Sequence, residues 1–241
     1  MESYDKFGDF YDAVMGDRAK TALRLRGLID RHKPNAKTVL ELACGTGAVL
    51  VHLAQGYEVS GLDLSSKMLS VARKKLPKAR FFHADMTAFD AGRKFDVILC
   101  VFDSINHLLE FADWKRVFRR VDAHLVKDGL FIFDINTEHK LRRHINEPAF
   151  VESFGENLMV MDITDAGNGV SNWNIKVFEH QKGNSYKLFE ENIKERSFPV
   201  DKIKTALRES FKDVRVIDTK RQRPSAKSER LYFVCMKRGH K

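Results

Sequence analysis

Short apolar runs alternate along most of the chain with segments in which apolar residues recur at helical spacing. The apolar runs predict strands at 38–42, 58–62, 80–83, 95–101 and 130–134. The helical spacing predicts helices at 47–55, 66–76, 114–125 and 200–210. Strands that alternate with helices indicate an α/β fold, in which a parallel sheet carries helices on both faces.

Three segments depart from this alternation. Residues 1–33 predict two helices before the first strand. Residues 146–198 contain alternating apolar and polar runs separated by glycine turns, and this pattern predicts a small antiparallel β-insertion. Strands predicted at 214–217 and 230–236, with a polar loop between them, indicate a hairpin at the edge of the sheet.

The composition is typical of a globular protein. The chain has 241 residues, of which 43% are hydrophobic and 31% charged, and this predicts a single domain over residues 1–241. No apolar stretch approaches the ~20 residues that span a bilayer, and residues 1–6 lack a signal-peptide pattern, so we expect a cytoplasmic protein without a membrane partner. Cys44, Cys100 and Cys235 each lie within an apolar run, which indicates buried thiols and neither a disulfide nor a metal site.

An excess of basic residues gives the chain a formal net charge of +9. Such a charge leaves nucleic acid open as a partner. The basic clusters at 73–75, 140–143 and 220–223 are dispersed, however, and they lack the interleaved aromatic residues on which bases stack. Nucleic acid is therefore not the favoured partner.

The turn after the first predicted strand carries the most specific candidate chemistry. Residues 39–47 combine an apolar run, the acid Glu41 and the small residues Ala43, Gly45 and Gly47. Glycine reaches positive φ at little cost, and a position without a large side chain lets a ligand approach the backbone. The turn is therefore predicted to present its main chain to a bound nucleotide.

More than one class of nucleotide-binding protein has such a turn. Dinucleotide-binding proteins place G-x-G-x-x-G at this point, with the pyrophosphate at the N-terminus of the following helix. Here Leu50 stands where that fingerprint needs a third small residue after Gly45 and Gly47. This difference weakens the hypothesis of an NAD-dependent dehydrogenase and leaves it open.

Acidic residues also follow the second and third strands. Asp63 lies 18 residues beyond Gly45, about where an acid binds a ribose diol in mononucleotide-binding folds. The alternative is an aspartate that caps the next helix. Asp85 and Met86 follow the third strand, where a carboxylate can accept from an adenine amino group while the thioether packs on the ring.

Taken together, these motifs resemble the class I S-adenosylmethionine-dependent methyltransferases. The resemblance rests on the segments 41–47, 61–65 and 84–86 and on the strand around 95–100, and it covers nearly the whole chain. The chain is similar in particular to the small-molecule branch of this family, which includes sugar and glycine-type N-methyltransferases. It implies a Rossmann-like seven-stranded mixed sheet whose last strand is antiparallel, with S-adenosyl-L-methionine as cofactor and S-adenosyl-L-homocysteine as product.

The resemblance also implies which residues bind the cofactor, although Ala43 replaces the first glycine of the family's turn. The implied set is Glu41, Ala43 and Gly45 at the methionine part, Tyr11 over it, Arg18 at its carboxylate, Asp63 with Leu64 at the ribose, Asp85 and Met86 at the adenine, and Val101 and Phe102 at the sulfonium. Residues 4–11, within the helical segment 1–33, resemble the N-terminal lid of that branch.

The segment after the fourth strand bears on the methyl acceptor. Enzymes that methylate exocyclic base amines usually carry two prolines there, and residues 101–107 contain none. The resemblance therefore favours a small-molecule acceptor, methylated at an amine nitrogen by in-line displacement. His107 is the candidate catalytic base, with a structural histidine as the alternative. Trp173 and Phe178 either wall the acceptor site or belong to a core.

Several alternatives stay open at this point. Methylation of RNA or protein would suit the positive charge, and a non-catalytic cofactor-binding module would use the same fold. The insertion at 146–198 forms either an acceptor surface or an oligomer surface, so that monomer and homodimer are both open.

Overall fold

The computed structural model describes residues 10–221 and 223–239, which form eleven strands in two sheets. The strands are β1 (Thr38–Leu42), β2 (Glu58–Asp63), β3 (Arg80–His83), β4 (Phe95–Cys100), β5 (Leu125–Asn136), β6 (Phe150–Phe154), β7 (Asn157–Asp165), β8 (Val170–His180), β9 (Tyr186–Arg196), β10 (Phe211–Asp218) and β11 (Arg230–Lys237). The larger sheet has the order β10-β11-β5-β4-β1-β2-β3. In it β11 runs antiparallel to both neighbours, which confirms the predicted mixed sheet with a hairpin at its edge.

Helices cover both faces of the larger sheet. They are α1 (Tyr11–Met15), α2 (Ala19–His32), α3 (Leu50–Leu53), α4 (Ser66–Lys75), α5 (Phe111–His124), α6 (Glu138–Ile145) and α7 (Val200–Leu207). One core packs the sheet against α2, α3 and α4, and the other packs it against α5 and α7. Successive residues of a strand enter opposite cores, as Val39 and Leu40 do, so both faces of β1 are apolar.

The smaller sheet has the order β6-β7-β8-β9, is antiparallel throughout, and lies within the range of the predicted insertion. Its buried side chains Met159, Ile175, Val177 and Ile193 pack against Phe10, the residue before α1. The N-terminal helix and the second sheet therefore share a core. The lid role of residues 1–33 stays a prediction, as does the role of the insertion as an acceptor surface or an oligomer surface.

Three differences from the predicted elements stand out among smaller shifts at the ends of several helices and strands. The helix expected at 47–55 is limited to Leu50–Leu53, and it cannot begin at Gly47 because the φ of Gly47 is 73°. The strand expected at 130–134 extends to Leu125–Asn136 and contains Asp128, at φ 55°, where a separate turn was expected. α6 was not predicted, because Leu141 is its only buried residue.

The chain order places a crevice at the carboxyl ends of the strands. From β1 the sheet continues through β2 and β3 on one side and through β4 and β5 on the other. Ligands in open α/β sheets bind where the strand order reverses in this way. No helix within the described ranges has both the length and the apolar character needed to cross a bilayer. All three cysteines are free and buried.

Candidate active site

The turn between β1 and α3 carries three residues with positive φ. The angle is 51° at Ala43, 53° at Gly45 and 73° at Gly47. A Cβ added at Gly45 would meet no atom closer than Cε1 of Tyr11, at 4.0 Å. The backbone of Gly45 therefore faces open space, which a ligand approaching the main chain requires.

Asp63, at the end of β2, connects this turn to α4. Its Oδ2 accepts a hydrogen bond of 2.7 Å from the backbone nitrogen of Gly45, and its Oδ1 accepts one of 2.9 Å from that of Ser65. Ser65 is the N-cap of α4, and its Oγ accepts from the backbone nitrogen of Met68 at 3.2 Å. Asp63 thus orders the glycine turn and the start of α4 together.

A cavity of about 410 Å³ opens beside these two turns. It is lined by Tyr11, Ala43, Gly45, Leu62, Asp63, Leu64, Ser65, Met68, Ala84, Asp85, Met86, Phe102, Ser104, His107, Leu108, Asn192, Ile193 and Lys194. Its volume lies within the ~300–1,000 Å³ usual for small-molecule sites. Segments that follow four neighbouring parallel strands thus meet a wall from β9 of the second sheet.

The helix α1 closes one side of the cavity. Tyr11 lines it, and Asp12 accepts a hydrogen bond of 2.6 Å from Oγ1 of Thr46 in the glycine turn. Asp12 also forms an ion pair with Lys75 at the end of α4. Burial raises the pKa of Tyr11 to about 12, so its hydroxyl keeps its proton at neutral pH. Residues 4–9 of the predicted lid lie outside the described residues.

Glu41 is buried beneath the glycine turn. It is 3% exposed, and its Oε2 has no hydrogen-bond partner within the described part of the chain. Burial, together with the nearby charge of Asp63, raises the pKa of Glu41 well above its usual value. A buried carboxyl oxygen without a partner is unfavourable, and a cationic ligand group would satisfy it.

His107 lies in a short 3-10 helix at 104–107, after β4. Its Nδ1 is 3.3 Å from the carbonyl oxygen of Lys194 in β9. A carbonyl only accepts, so Nδ1 carries the hydrogen and Nε2 holds the lone pair of the neutral ring. Burial lowers the pKa of His107 and so favours that neutral ring.

A buried polar cluster lies behind the loop that follows β4. Arg230 forms ion pairs with Asp103 and Asp134. Nδ2 of Asn136 donates to Oδ2 of Asp103 at 2.7 Å and to Oε2 of Glu195 at 2.9 Å. Burial raises the pKa of Glu195, and Asp103 adds to that shift. Burial also tends to raise the pKa of Asp103. The positive charge of Arg230 opposes this and holds the pKa of Asp103 below its usual value.

Comparison with known proteins identifies the family. Residues 39–129 match the family model for the methyltransferase domain. The chain is 30% identical, over 97% of each protein, to the "Putative methyltransferase YqeM" of Bacillus subtilis (strain 168). The chain belongs to the S-adenosylmethionine-dependent methyltransferases. An S-adenosylmethionine-dependent methyltransferase from Clostridium acetobutylicum ATCC 824 has a TM-score of 0.85 to it at 27% identity, over 98% of this chain and 99% of that one.

One further relative is similar to this chain over about half of the chain's length. It is the dTDP-3-amino-3,6-dideoxy-alpha-D-glucopyranose N,N-dimethyltransferase of Streptomyces fradiae, which is 38% identical over 134 residues. The match covers 54% of this chain and 52% of that protein. This chain thus matches about half the length of that relative. Membership of the family decides against the dehydrogenase hypothesis.

The structure brings most of the predicted site residues of the methyltransferase to one cavity. Those that line it are Tyr11, Ala43, Gly45, Asp63, Leu64, Asp85, Met86, Phe102 and His107. Glu41 and Val101 are buried behind the lining. Arg18 stands outside it, with its guanidinium 4.4 Å from the ring centroid of Phe102.

The wall formed by Asn192, Ile193 and Lys194 was not predicted. Their alternating pattern indicates a strand but carries no signal of what the strand faces. Trp173 and Phe178 do not line this cavity. Trp173 packs beside the core of the second sheet, which agrees with the alternative that it is a core residue.

Proposed function

We propose that the methyltransferase transfers a methyl group from S-adenosyl-L-methionine to an amine nitrogen of a small acceptor, such as an amino sugar. The observation that carries the proposal is that one cavity joins the glycine turn and Asp63 to His107 and the β9 wall. The amino-sugar dimethyltransferase relative supports an amine acceptor. The acceptor would lie in the part of the cavity that is lined by both His107 and β9.

The geometry of the cavity fits the cofactor. Gly45 leaves room for a ligand against the backbone, and the partnerless Oε2 of Glu41 suits a cationic group such as an ammonium. Asp63 would accept from the ribose hydroxyls, while Asp85 and Met86 would hold the adenine. When bound, S-adenosylmethionine supplies a methyl group on a sulfonium, which is already a good leaving group.

Because the leaving group is already good, the residues of the chain need only align the reactants, exclude water and accept a proton. An amine must be neutral to attack, and Nε2 of neutral His107 would take the proton that the acceptor ammonium loses. Tyr11, which keeps its proton, would cover the cofactor and exclude water rather than act as a base. Alignment of the two reactants in one cavity supplies most of the acceleration.

Two measurements on the whole chain test this proposal. Calorimetry with S-adenosylmethionine and S-adenosylhomocysteine should detect both ligands at one site, and binding of neither would overturn the cofactor assignment. A tritiated-methyl screen over nucleotide-linked amino sugars, simple amines and tRNA should then label an amine. Labelling of tRNA alone would overturn the small-molecule assignment, and RNA methylation would replace it.

Two other predictions accompany this function and are tested separately. We expect a cytoplasmic protein, and fractionation of the native host would check its location. Light scattering would decide between a monomer and a homodimer.

A further inference from the structure

The loop after β4 has an unfavourable backbone conformation next to the cavity. Phe102 has a φ of 58° and Asp103 a φ of 52°, so two consecutive residues other than glycine lie in the left-handed region. Side chains with a Cβ rarely adopt this conformation, and it persists only where surrounding contacts impose it. The contacts that impose it therefore control how this loop meets the cavity.

Asp134 provides such contacts. It lies near the end of β5 with no exposed surface. Its Oδ1 accepts a hydrogen bond of 2.7 Å from the backbone nitrogen of Phe102, and its Oδ2 accepts one of 3.3 Å from that of Asp103. One carboxylate thus satisfies the backbone nitrogens of both left-handed residues.

Arg230, at the start of β11, holds this carboxylate in place. Its Nη1 pairs with Asp134 and its Nη2 with Asp103, so one guanidinium binds both the loop and the group that fixes it. Nη2 also donates to Oδ1 of Asn136 at 3.1 Å. Burial raises the pKa of Asp134 to about 6, and Arg230 opposes that shift. Arg230 therefore favours the ionised form, which can accept from both backbone nitrogens.

The other side of the same loop lines the cavity. Phe102, Ser104 and His107 all do so, whereas neither Asp134 nor Arg230 does. A shift of the backbone at Phe102 and Asp103 would displace the Phe102 ring and the segment that carries His107. Displacements of about 1 Å at a reacting centre can cost on the order of a hundredfold in rate.

We infer that Asp134 and Arg230 are positioning residues for methyl transfer, acting through the backbone of Phe102 and Asp103. Neither residue lines the cavity, and both bind the loop that does. The inference rests on the proposed function and on the family resemblance, which implies that Val101 and Phe102 lie at the sulfonium end of the cofactor.

Two substitutions and a matched control test it. In Asp134→Asn the amide offers one acceptor oxygen and one donor nitrogen, so one backbone nitrogen loses its acceptor. Arg230→Lys keeps the charge but loses the fork that reaches both carboxylates. Lys237→Met is the control, because Lys237 is a buried cation at the opposite end of β11, where Nζ donates to the carbonyl oxygen of Leu125 at 3.1 Å.

The probe is S-adenosylmethionine carrying a ¹³C-labelled methyl group, observed by NMR when bound, with dissociation constants from calorimetry. Both site variants should shift the bound methyl resonance away from its wild-type position. They should raise the dissociation constant of S-adenosylmethionine roughly tenfold, the equivalent of one lost charge-assisted hydrogen bond. S-adenosylhomocysteine lacks the methyl sulfonium and should lose clearly less affinity. Lys237→Met should lower the melting temperature and leave the methyl resonance in place.

The outcomes separate the inference from the function on which it rests. Failure of the wild-type chain to bind either ligand would overturn the proposed function. Suppose instead that the wild type binds, that both site variants keep the wild-type methyl resonance, and that the dissociation constants of the two ligands change equally. The positioning role is then wrong, and the cluster is only structural. Should Asp134→Asn fail to fold, Arg230→Lys alone decides by the same two readouts.

Discussion

The carboxylate of Asp63 accepts a 2.7 Å hydrogen bond from the backbone nitrogen of Gly45, 18 residues earlier in the chain. The same side chain accepts from Ser65 at the start of α4. One acid therefore holds the shape of both turns that would contact the cofactor. Its loss should weaken binding through the turns as well as through the ribose.

Asp63→Asn is expected to raise the Kd for S-adenosylhomocysteine at least about tenfold, because an amide cannot accept from both backbone nitrogens and a bond to a charged group contributes ~1.5–3 kcal/mol. Calorimetry measures the change. Asp165→Asn is a matched control, since Asp165 makes a similar 2.8 Å bond to the backbone nitrogen of Gly167 in a remote hairpin. Equal affinities for the Asp63 variant and the control would contradict the prediction.

Asp12 should control how fast the cofactor enters and leaves. Asp12→Ala removes the bond from Thr46 and the ion pair with Lys75, so α1 and Tyr11 should separate from the glycine turn more often. We expect both the association and the dissociation rates of S-adenosylhomocysteine to rise by roughly threefold, a modest change because the ion pair is partly exposed. Stopped-flow fluorescence measures both rates. Lys74→Met, an exposed neighbour in α4, should change neither.

His107 should shape the acid side of the pH profile. Burial lowers its pKa from 6.5, so the neutral ring that can accept a proton persists below pH 6.5. For an identified acceptor, the fall in kcat/KM that His107 causes should therefore lie below pH 6.5 and be absent in His107→Gln. The variant should lose more than about tenfold in turnover, because general base catalysis typically contributes roughly 10²–10⁴-fold. A smaller loss would make His107 a structural histidine.

Gly61 should tolerate no side chain. A Cβ at this position of β2 would lie 2.6 Å from Sγ of Cys44 and 2.8 Å from the ring of Phe81. Gly61→Ala is expected to lower the free energy of unfolding by ~1–3 kcal/mol through overpacking. Gly27→Ala in α2, where a Cβ would meet nothing within 4 Å, should instead raise it by about 0.5–1 kcal/mol. Denaturant unfolding measures both, and a neutral Gly61→Ala would contradict the close packing.

The elements that could be predicted from the sequence are those whose pattern of apolar residues is typical of only one kind of secondary structure. β1 was predicted at its observed bounds because a strand buried on both faces reads as a continuous apolar run. α6 was missed because a helix with Leu141 as its only buried residue leaves no periodic pattern.

The candidate site shows the same division. Gly45, Asp63 and Asp85 lie at or just after the carboxyl ends of parallel strands of one sheet, so the strand order alone brings them to one edge. The contact between His107 and Lys194 joins the loop after β4 to the second sheet, across 87 positions of the chain. No local spacing encodes that contact, and the position of the β9 wall therefore could not be predicted.

The place of β11 between β5 and β10 has a consequence for how the chain folds. Arg230 pairs with Asn136, 94 residues earlier, and the whole second sheet lies between them in the chain. Until β11 arrives, the apolar strand β5 presents an open edge, and contacts of such long range form slowly. Partly folded chains would therefore be most prone to aggregate through the edge of β5, and slow refolding would lengthen that exposure.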